Sequence, residues 1–276
     1  MQKPFMKLDK LTAKKSFHLC ILMLMASCNV VVAQDSAAPS AEELAKKLAN
    51  PIANLISVPL QSNWDVGIGS YNGSKMVLNV QPVIPITLSP KINLITRWIF
   101  PIVSQYDITG ENTNQGGLGD AVITGFLSPS QSSLTWGVGP AFLIPTATQT
   151  ILGAEQFGIG PSVVALKQSG PWTYGALINH LFTVAGNEDR DEVNASFFNP
   201  FVSYNWKSGA GITATLEYTQ DWEHDASVVV AHALLSGVTK LGSQTVSLVI
   251  GPRIHFAPDQ HAAYGLRAAI IMVFPK

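Results

Sequence analysis

A chain of 276 residues with 47% hydrophobic and only 13% charged side chains carries about half the charge of an ordinary soluble domain. Its 17 basic and 18 acidic residues nearly cancel, which excludes the strongly basic field of a nucleic-acid-binding protein. A mean hydropathy of +0.23 points to a membrane protein. Beyond the N-terminus, however, no apolar run approaches the roughly eighteen residues of a spanning helix. The closed β-barrel is the other structure that satisfies every backbone group in lipid.

The chain opens with a targeting pattern over 1–33. Lys3, Lys7, Lys10, Lys14 and Lys15 charge its start, an apolar run follows over 17–32, and Val31-Val32-Ala33 offers a small-residue cleavage site before Gln34. An uncleaved anchor and lipidation at Cys28 stay open as alternatives. Met25-Ala26-Ser27-Cys28 loosely resembles a lipobox, with Met25 where Leu is preferred. Cys20 and Cys28 both lie in this segment, so a chain cut after Ala33 has no disulfide, and barrel closure has to supply the constraint. Residues 34–56 follow as a periplasmic or plug segment. Ser40 with Glu43 reads as a capping box starting a short helix that carries Leu44 and Leu48 on one face, and Asn50-Pro51 ends it. A helix on the periplasmic surface and a plug folded into a barrel mouth are both compatible with this pattern.

From 57 to the end the pattern is that of a transmembrane antiparallel β-barrel, all-β, with about twelve strands. They fall near 57–69, 76–88, 92–105, 118–128, 134–146, 156–168, 172–185, 193–206, 211–222, 227–239, 244–256 and 263–274. The stretch 76–105 is the clearest unit. Met76, Leu78, Val80, Pro82, Ile84, Ile86 and Leu88 form one apolar row against a wetter row holding Asn79, Gln81 and Thr87. After Ser89-Pro90-Lys91, Ile92, Leu94, Thr96, Trp98 and Phe100 alternate with Asn93, Ile95, Arg97 and Ile99. These strands are close to the nine to eleven residues that a tilted strand needs to cross a bilayer, about twice the usual soluble strand. Alternation is sharp again in 211–222, 244–256 and 263–274, and poor in 193–206.

Connections after even-numbered segments are short and turn-like, as at Ser169-Gly170-Pro171 and Leu241-Gly242-Ser243. Those after odd-numbered segments are mostly longer and polar, as at 106–117 and 186–192. An even strand count with that asymmetry is the outer-membrane pattern, and Trp and Tyr near segment ends (Trp64, Tyr71, Trp98, Tyr106, Trp172, Trp206, Trp222) fit interfacial girdles. Gly139-Pro140, Gly160-Pro161 and Gly251-Pro252 fall inside strands. Proline cannot donate to a ladder, so these pairs are expected to mark bulges or kinks that open lateral gaps, or else irregularities near strand ends.

Arg97, Glu217, Arg253 and Arg267, with Asn79 and Gln81, are the candidate lumen lining. An Arg on the lipid face near the midplane would cost roughly 2–4 kcal/mol. Two readings of these residues compete: a structural network in which Glu217 pairs an Arg across a narrow lumen, and a selectivity lining for a polar or anionic solute. A nucleophile–base pair on one strand would read His-x-Ser, which does not occur. The 222–227 run (WEHDAS) reads as a polar loop whose Glu223, His224 and Asp225 are too close in sequence to converge on a metal. Gly116-Gly117-Leu118-Gly119-Asp120 lacks the strand-then-helix setting of a phosphate loop. No catalytic, metal or cofactor-binding residue is assigned, and no cofactor is expected.

The wording of LANPIANLISVPLQSNWDVGIG, LNVQPVIPITL, INLITRWIFPIVSQ, GLGDAVITGFLSP, WGVGPAFLIPTAT and LKQSGPWTYGALINH resembles a family of Gram-negative outer-membrane transport proteins. That family carries the label "MetA-pathway of phenol degradation" and, misleadingly, the name neuromedin U. The resemblance runs from about residue 41 to 276. It implies an outer-membrane barrel that passively transports small, mainly hydrophobic or aromatic compounds, with outer-membrane lipid as its surroundings. It carries over no binding residue. A closed structural or surface-interaction barrel is the second expectation. A lipid hydrolase, as in the twelve-stranded outer-membrane phospholipase, is the third and is not favoured.

Overall fold

A computed structural model of the chain describes residues 39–256 and 262–275; the targeting pattern over 1–33 lies outside the described residues. The helix expected after Ser40 forms as α1 (Ala41–Leu48). Its capping box is complete: the Ser40 hydroxyl accepts from the Glu43 backbone N–H, and the Glu43 carboxylate accepts from the Ser40 N–H. The Lys46 ammonium reaches back one turn to Glu42 at 2.8 Å.

Fourteen strand segments follow: β1 (Ile56–Ile68), β2 (Gly73–Val80), β3 (Val83–Ser89), β4 (Ile92–Tyr106), β5 (Asn114–Leu118), β6 (Ala121–Pro129), β7 (Thr135–Ile144), β8 (Gln156–Ser169), β9 (Trp172–Gly186), β10 (Asn194–Asn205), β11 (Ala210–Asp221), β12 (Ala226–Leu241), β13 (Gln244–His255) and β14 (Tyr264–Phe274). Every pairing is antiparallel, and β14 returns to β1 along a continuous ladder from Ile56↔Phe274 to Val66↔Tyr264. The sheet therefore has no free edge.

Two staves are each broken once. β2 and β3 pair successive halves of β4, interrupted at Gln81-Pro82, where Pro82 has no N–H to give. β5 and β6 likewise share the far side of β4, interrupted at Gly119-Asp120. Fourteen segments thus make a closed barrel of twelve staves, with boundaries within a few residues of those expected from alternation.

The alternation decides the facing. Ile84, Ile86, Leu88 and Ile92 are exposed on the outer surface, whereas Gln81, Val83, Asn93 and Ile95 are buried inside. Strand β10, with its poor alternation, is apolar on both faces for a reason. Phe198 and Val202 point out, while Phe197 and Phe201 pack against the buried cluster of Ile52, Val83, Ile95, Phe126, Val164, Leu166 and Leu177 inside the barrel. Trp172, Tyr204 and Trp206 form an edge-to-face group near the short-turn end. Tyr71, Tyr106, Trp222 and Tyr264 stand exposed at the other end. Trp98 departs from the girdle pattern: it lies midway along β4, stacked on Phe100 at 6.1 Å.

The three Gly-Pro pairs behave differently from the expectation of bulges opening the wall. Pairing skips Pro140, Pro161 and Pro252 on one side, but the register on either side of each gap is unchanged. The register shifts lie elsewhere, at Val66/Ile68, Thr87/Ser89 and Phe157/Gly158. At each gap the glycine instead comes close to the facing backbone. A Cβ on Gly139, Gly160 or Gly251 would run into the carbonyl oxygen of Gly125, His180 or Ala233 respectively. Proline removes a ladder bond, and the adjacent glycine lets the two backbones close the space that this leaves. The wall stays shut.

Substituting Gly139→Ala should therefore cost about 3 kcal/mol, the upper end of overpacking, because a backbone carbonyl cannot swing aside. Gly237→Ala, with open space around its Cα, should stay within about 0.5 kcal/mol. Urea-unfolding midpoints of the refolded variants check both.

Candidate functional site

The interior is divided by the strands that line it. β3, β4, β6, β8 and β9 contribute the buried apolar cluster, while β1 and β11 to β14 contribute Asp65, Glu217, His232, Arg253 and Arg267.

The segment 39–55 enters the barrel at its short-turn end. Leu44, Ala45, Ile52 and Ala53 are buried, and Ile52 joins the apolar cluster contributed by the barrel wall. Gln168 Nε2 ties this segment to the wall by donating to the Lys46 carbonyl at 2.7 Å, and within the segment Asn50 Oδ1 accepts from the Ile52 N–H at 2.9 Å. The segment thus packs against the inner side of the wall through Ile52.

Further along the lumen lies a belt of charge. Arg267 donates through Nη1 and Nη2 to the two carboxylate oxygens of Glu217 at 2.8 and 3.2 Å, and through Nε to Asn63 Oδ1 at 2.7 Å. β14 has β13 and β1 as neighbours, so its contact with β11 has to pass through the interior. Arg253 forks onto Asp65 in the same way, Nε to Oδ1 at 2.8 Å and Nη2 to Oδ2 at 3.1 Å, with His255 Nε2 3.0 Å from Oδ1. That pair bridges β13 and β1 across the intervening β14. It passes over Gly265, where a Cβ would collide with Asp65 Oδ1 and sit 3.1 Å from Arg253 Cβ. His232 Nε2 lies 3.3 Å from Glu217 Oε2, and Arg253 Nη1 lies 3.9 Å from the same oxygen. Bidentate guanidinium–carboxylate pairs of this kind fix geometry as well as charge.

Arg97 stands apart from these pairs. Its Nη2 donates to Gln81 Oε1 at 2.9 Å, a neutral acceptor on the interrupted second stave. Between the plug and the belt a cavity of about 270 Å³ remains, bounded by Leu48 and Leu55 of the plug segment, by Gln61, Gln81, Arg97, Asn199, Thr213, Thr215 and Arg267, and by Leu177, Phe201, Leu234, Val249 and Ile271.

Among the six candidate lining residues, Glu217, Arg253 and Arg267 meet in the belt, and Arg97 meets Gln81 beside the chamber. Asn79 sits on the inner row of its stave opposite Gln61, which lines the chamber. Asp65, Asn63, His232 and His255 complete the belt and were not singled out. Asn63 and Asp65 alternate with Ser62 and Trp64 in β1, a period-two signal that was present. His232 is hidden inside an apolar run.

At the far end the long loops are knitted together. Asp120 accepts from the Ala147 and Ala154 N–H groups at 3.1 and 2.6 Å, and Arg190 Nη2 donates to the Thr150 and Gly153 carbonyls at 3.3 and 3.0 Å. His224 turns toward neither Glu223 nor Asp225 but bridges Asp221 (2.8 Å) and Asp191 (3.4 Å). A cross-strand contact that sequence spacing could not reveal joins His180 Nδ1 and Ser196 Oγ at 2.9 Å, and the same hydroxyl oxygen accepts from Trp222 Nε1 at 2.9 Å.

Removing Arg267 leaves Glu217 inside the lumen without its bidentate partner. Arg267→Ala should destabilise the barrel by about 3 kcal/mol, and adding Glu217→Ala should recover part of that loss, because the stranded charge goes with it. Urea unfolding of the two variants measures the difference. At the loop end, the hydrogen bond to Asp221, followed by Asp191, raises the His224 imidazole above its ordinary value. The folded pKa is the higher one, so the bridge contributes fully below the ordinary histidine range and is lost as pH rises through the raised value. Protease cleavage within 187–193 should accelerate as pH rises through and above the ordinary histidine range, and His224→Ala should remove that dependence.

No protein-family model matches the chain, and no curated protein matches it. Among solved structures it is similar to the COG4313 outer membrane channel from Pseudomonas putida F1, with a TM-score of 0.63 and 10% identity over 89% of this chain and 100% of that one. Outer membrane phospholipase A from Escherichia coli matches with a TM-score of 0.46 and 11% identity, over 86% of this chain and 99% of that one. The beta domain of the Bordetella autotransporter BrkA matches at 0.42 and 12%, over 80% and 99%. At these identities the first match bears on the fold alone: a closed barrel of the kind seen in that channel.

Proposed function

We propose that this chain is an outer-membrane β-barrel that passes small, mainly hydrophobic or aromatic compounds through its lumen, with 39–55 as the element that must shift for passage. The observation that carries the reading is the chamber of about 270 Å³ between plug and belt. A cavity of about 150 Å³ lined by apolar side chains already holds benzene, so this volume takes a single substituted ring. Its lining is apolar on one side and hydrogen-bonding on the other, the usual composition of a small-molecule pocket. An apolar outer face, aromatics at both rims and twelve staves with five short turns at one end support placement in the outer membrane of a Gram-negative bacterium. The likeness to a channel barrel agrees with this. Lipid is the surrounding partner, and the reading calls for no cofactor.

A lipid hydrolase is the second reading, drawn from the His180–Ser196 contact near the loop-side rim. A working nucleophile–base pair also needs a group to orient the imidazole. His180 packs instead beside Phe182, with ring centroids 6.2 Å apart. We place that contact with the girdle rather than with chemistry.

Deletion of 39–55 should raise the conductance of the refolded protein in planar bilayers several-fold and speed entry of phenol into liposomes. If the intact and the deleted protein pass nothing, the barrel is closed and structural. Fatty-acid release from the liposomes that disappears in Ser196→Ala would instead establish the hydrolase.

A further inference from the structure

The charges bounding the chamber are all of one sign. Lys47 stands exposed on α1, while Arg97 and Arg267 project from the wall; no Asp or Glu lines the cavity among the described residues. A cavity with three lining cations and no lining carboxylate attracts a negative charge, and low-dielectric walls strengthen that attraction.

The three cations are not equivalent. Arg267 is already neutralised, since both oxygens of Glu217 are held in its fork. Arg97 feels that same carboxylate, and also repulsion from Arg267, but its own hydrogen bond goes to the neutral amide oxygen of Gln81. A guanidinium has five N–H donors in a planar fork that suits two oxygens at once. With one donor on Gln81, and no other hydrogen bond among the described residues, the remainder of the Arg97 fork faces the chamber it lines. Val83, directly beside it in register, and the lining residues Leu177 and Phe201 give the chamber an apolar surface for the body of a solute.

We infer that the chamber is a binding site for a small amphipathic monocarboxylate, an aromatic ring of benzoate size whose carboxylate rests on Arg97 and whose body packs against Leu177 and Phe201. One uncommitted guanidinium matches one negative charge. The volume limits the body to about one ring, and the apolar wall selects against multiply charged anions such as phosphate esters. This inference deepens the transport reading by naming the solute class. It also recasts the lumen arginines: the belt pairs are structural, and Arg97 is the cation that confers selectivity.

The test is calorimetric titration of the full, detergent-refolded protein with benzoate, benzyl alcohol and benzylammonium. These share a ring and differ in charge. Benzoate is expected to bind at least tenfold more tightly than benzyl alcohol, and benzylammonium more weakly than either. Arg97→Met should lower benzoate affinity about 10–100-fold, the worth of a charge-assisted hydrogen bond, and leave benzyl alcohol within about threefold. Arg97→Lys should keep part of the preference. Equal affinities for benzoate and benzyl alcohol in the native protein would overturn the inference, as would undiminished benzoate binding in Arg97→Met. Should Arg97→Met not refold, the comparison of the three probes on the native protein decides alone. Liposome flux run in parallel separates this inference from the transport reading. Passage of benzyl alcohol with no preference for benzoate retains transport and removes the carboxylate site. Tight benzoate binding without flux, plug present or deleted, keeps the site and removes transport.

Discussion

The Arg267–Glu217 fork is the interaction on which the rest of the interior depends. It runs through the lumen between staves that are not neighbours, so it sets how far apart those walls stand. It occupies both oxygens of Glu217. Arg253 turns to Asp65, His232 stays within 3.3 Å of Glu217, and Arg97 is left to a neutral amide. A closed ladder satisfies the backbone but says nothing about the inside of a barrel. There, each charge must find a partner or water, and this one pairing determines which charge is left over.

The plug and the wall solve complementary problems. Twelve staves enclose more space than their own side chains fill on the charged side, and 39–55 occupies the short-turn half by laying Ile52 into the apolar cluster. The remaining void is bounded by surfaces that are each well anchored. Glycine serves close approach in two ways: Gly265 lets Arg253 reach Asp65, and Gly139, Gly160 and Gly251 let staves draw together where proline has removed a ladder bond. The same residue type thus makes room for a side chain at one place and for a backbone at three others.

How much of this could be read in advance depends on the range of the interaction. Period-two alternation is local, so twelve staves, their turns and most of their facing were legible from Ser57 to Phe274, apart from the breaks at Gln81-Pro82 and Gly119-Asp120. The capping box at Ser40 was equally legible. The belt was only half visible. Arg97, Glu217, Arg253 and Arg267 stand out as charges on wet rows, but Asp65 lies 188 residues from Arg253, and only barrel closure makes them partners. Poor alternation in β10 hid a second apolar face that packs inward, a matter of tertiary context. The His180–Ser196 contact follows from the pairing of two strands, and His-x-Ser spacing on one strand does not test for it. The plug could not be placed from its sequence because a short amphipathic helix suits a surface and a lumen equally.

The belt also has a bearing on how the barrel is made. Its acceptors Asn63 and Asp65 are on the first stave and its arginines on the last two, 204 and 188 residues downstream. Until β13 and β14 arrive, the Asp65 carboxylate faces only Lys75, opposite it on β2, and the guanidinium forks that hold Asp65 and Glu217 are missing. Seam closure and completion of the belt are therefore one event. A chain missing its final stave would lose both the ladder to β1 and the donors that neutralise Glu217, so partial barrels would be selected against during insertion rather than accumulate as leaky intermediates.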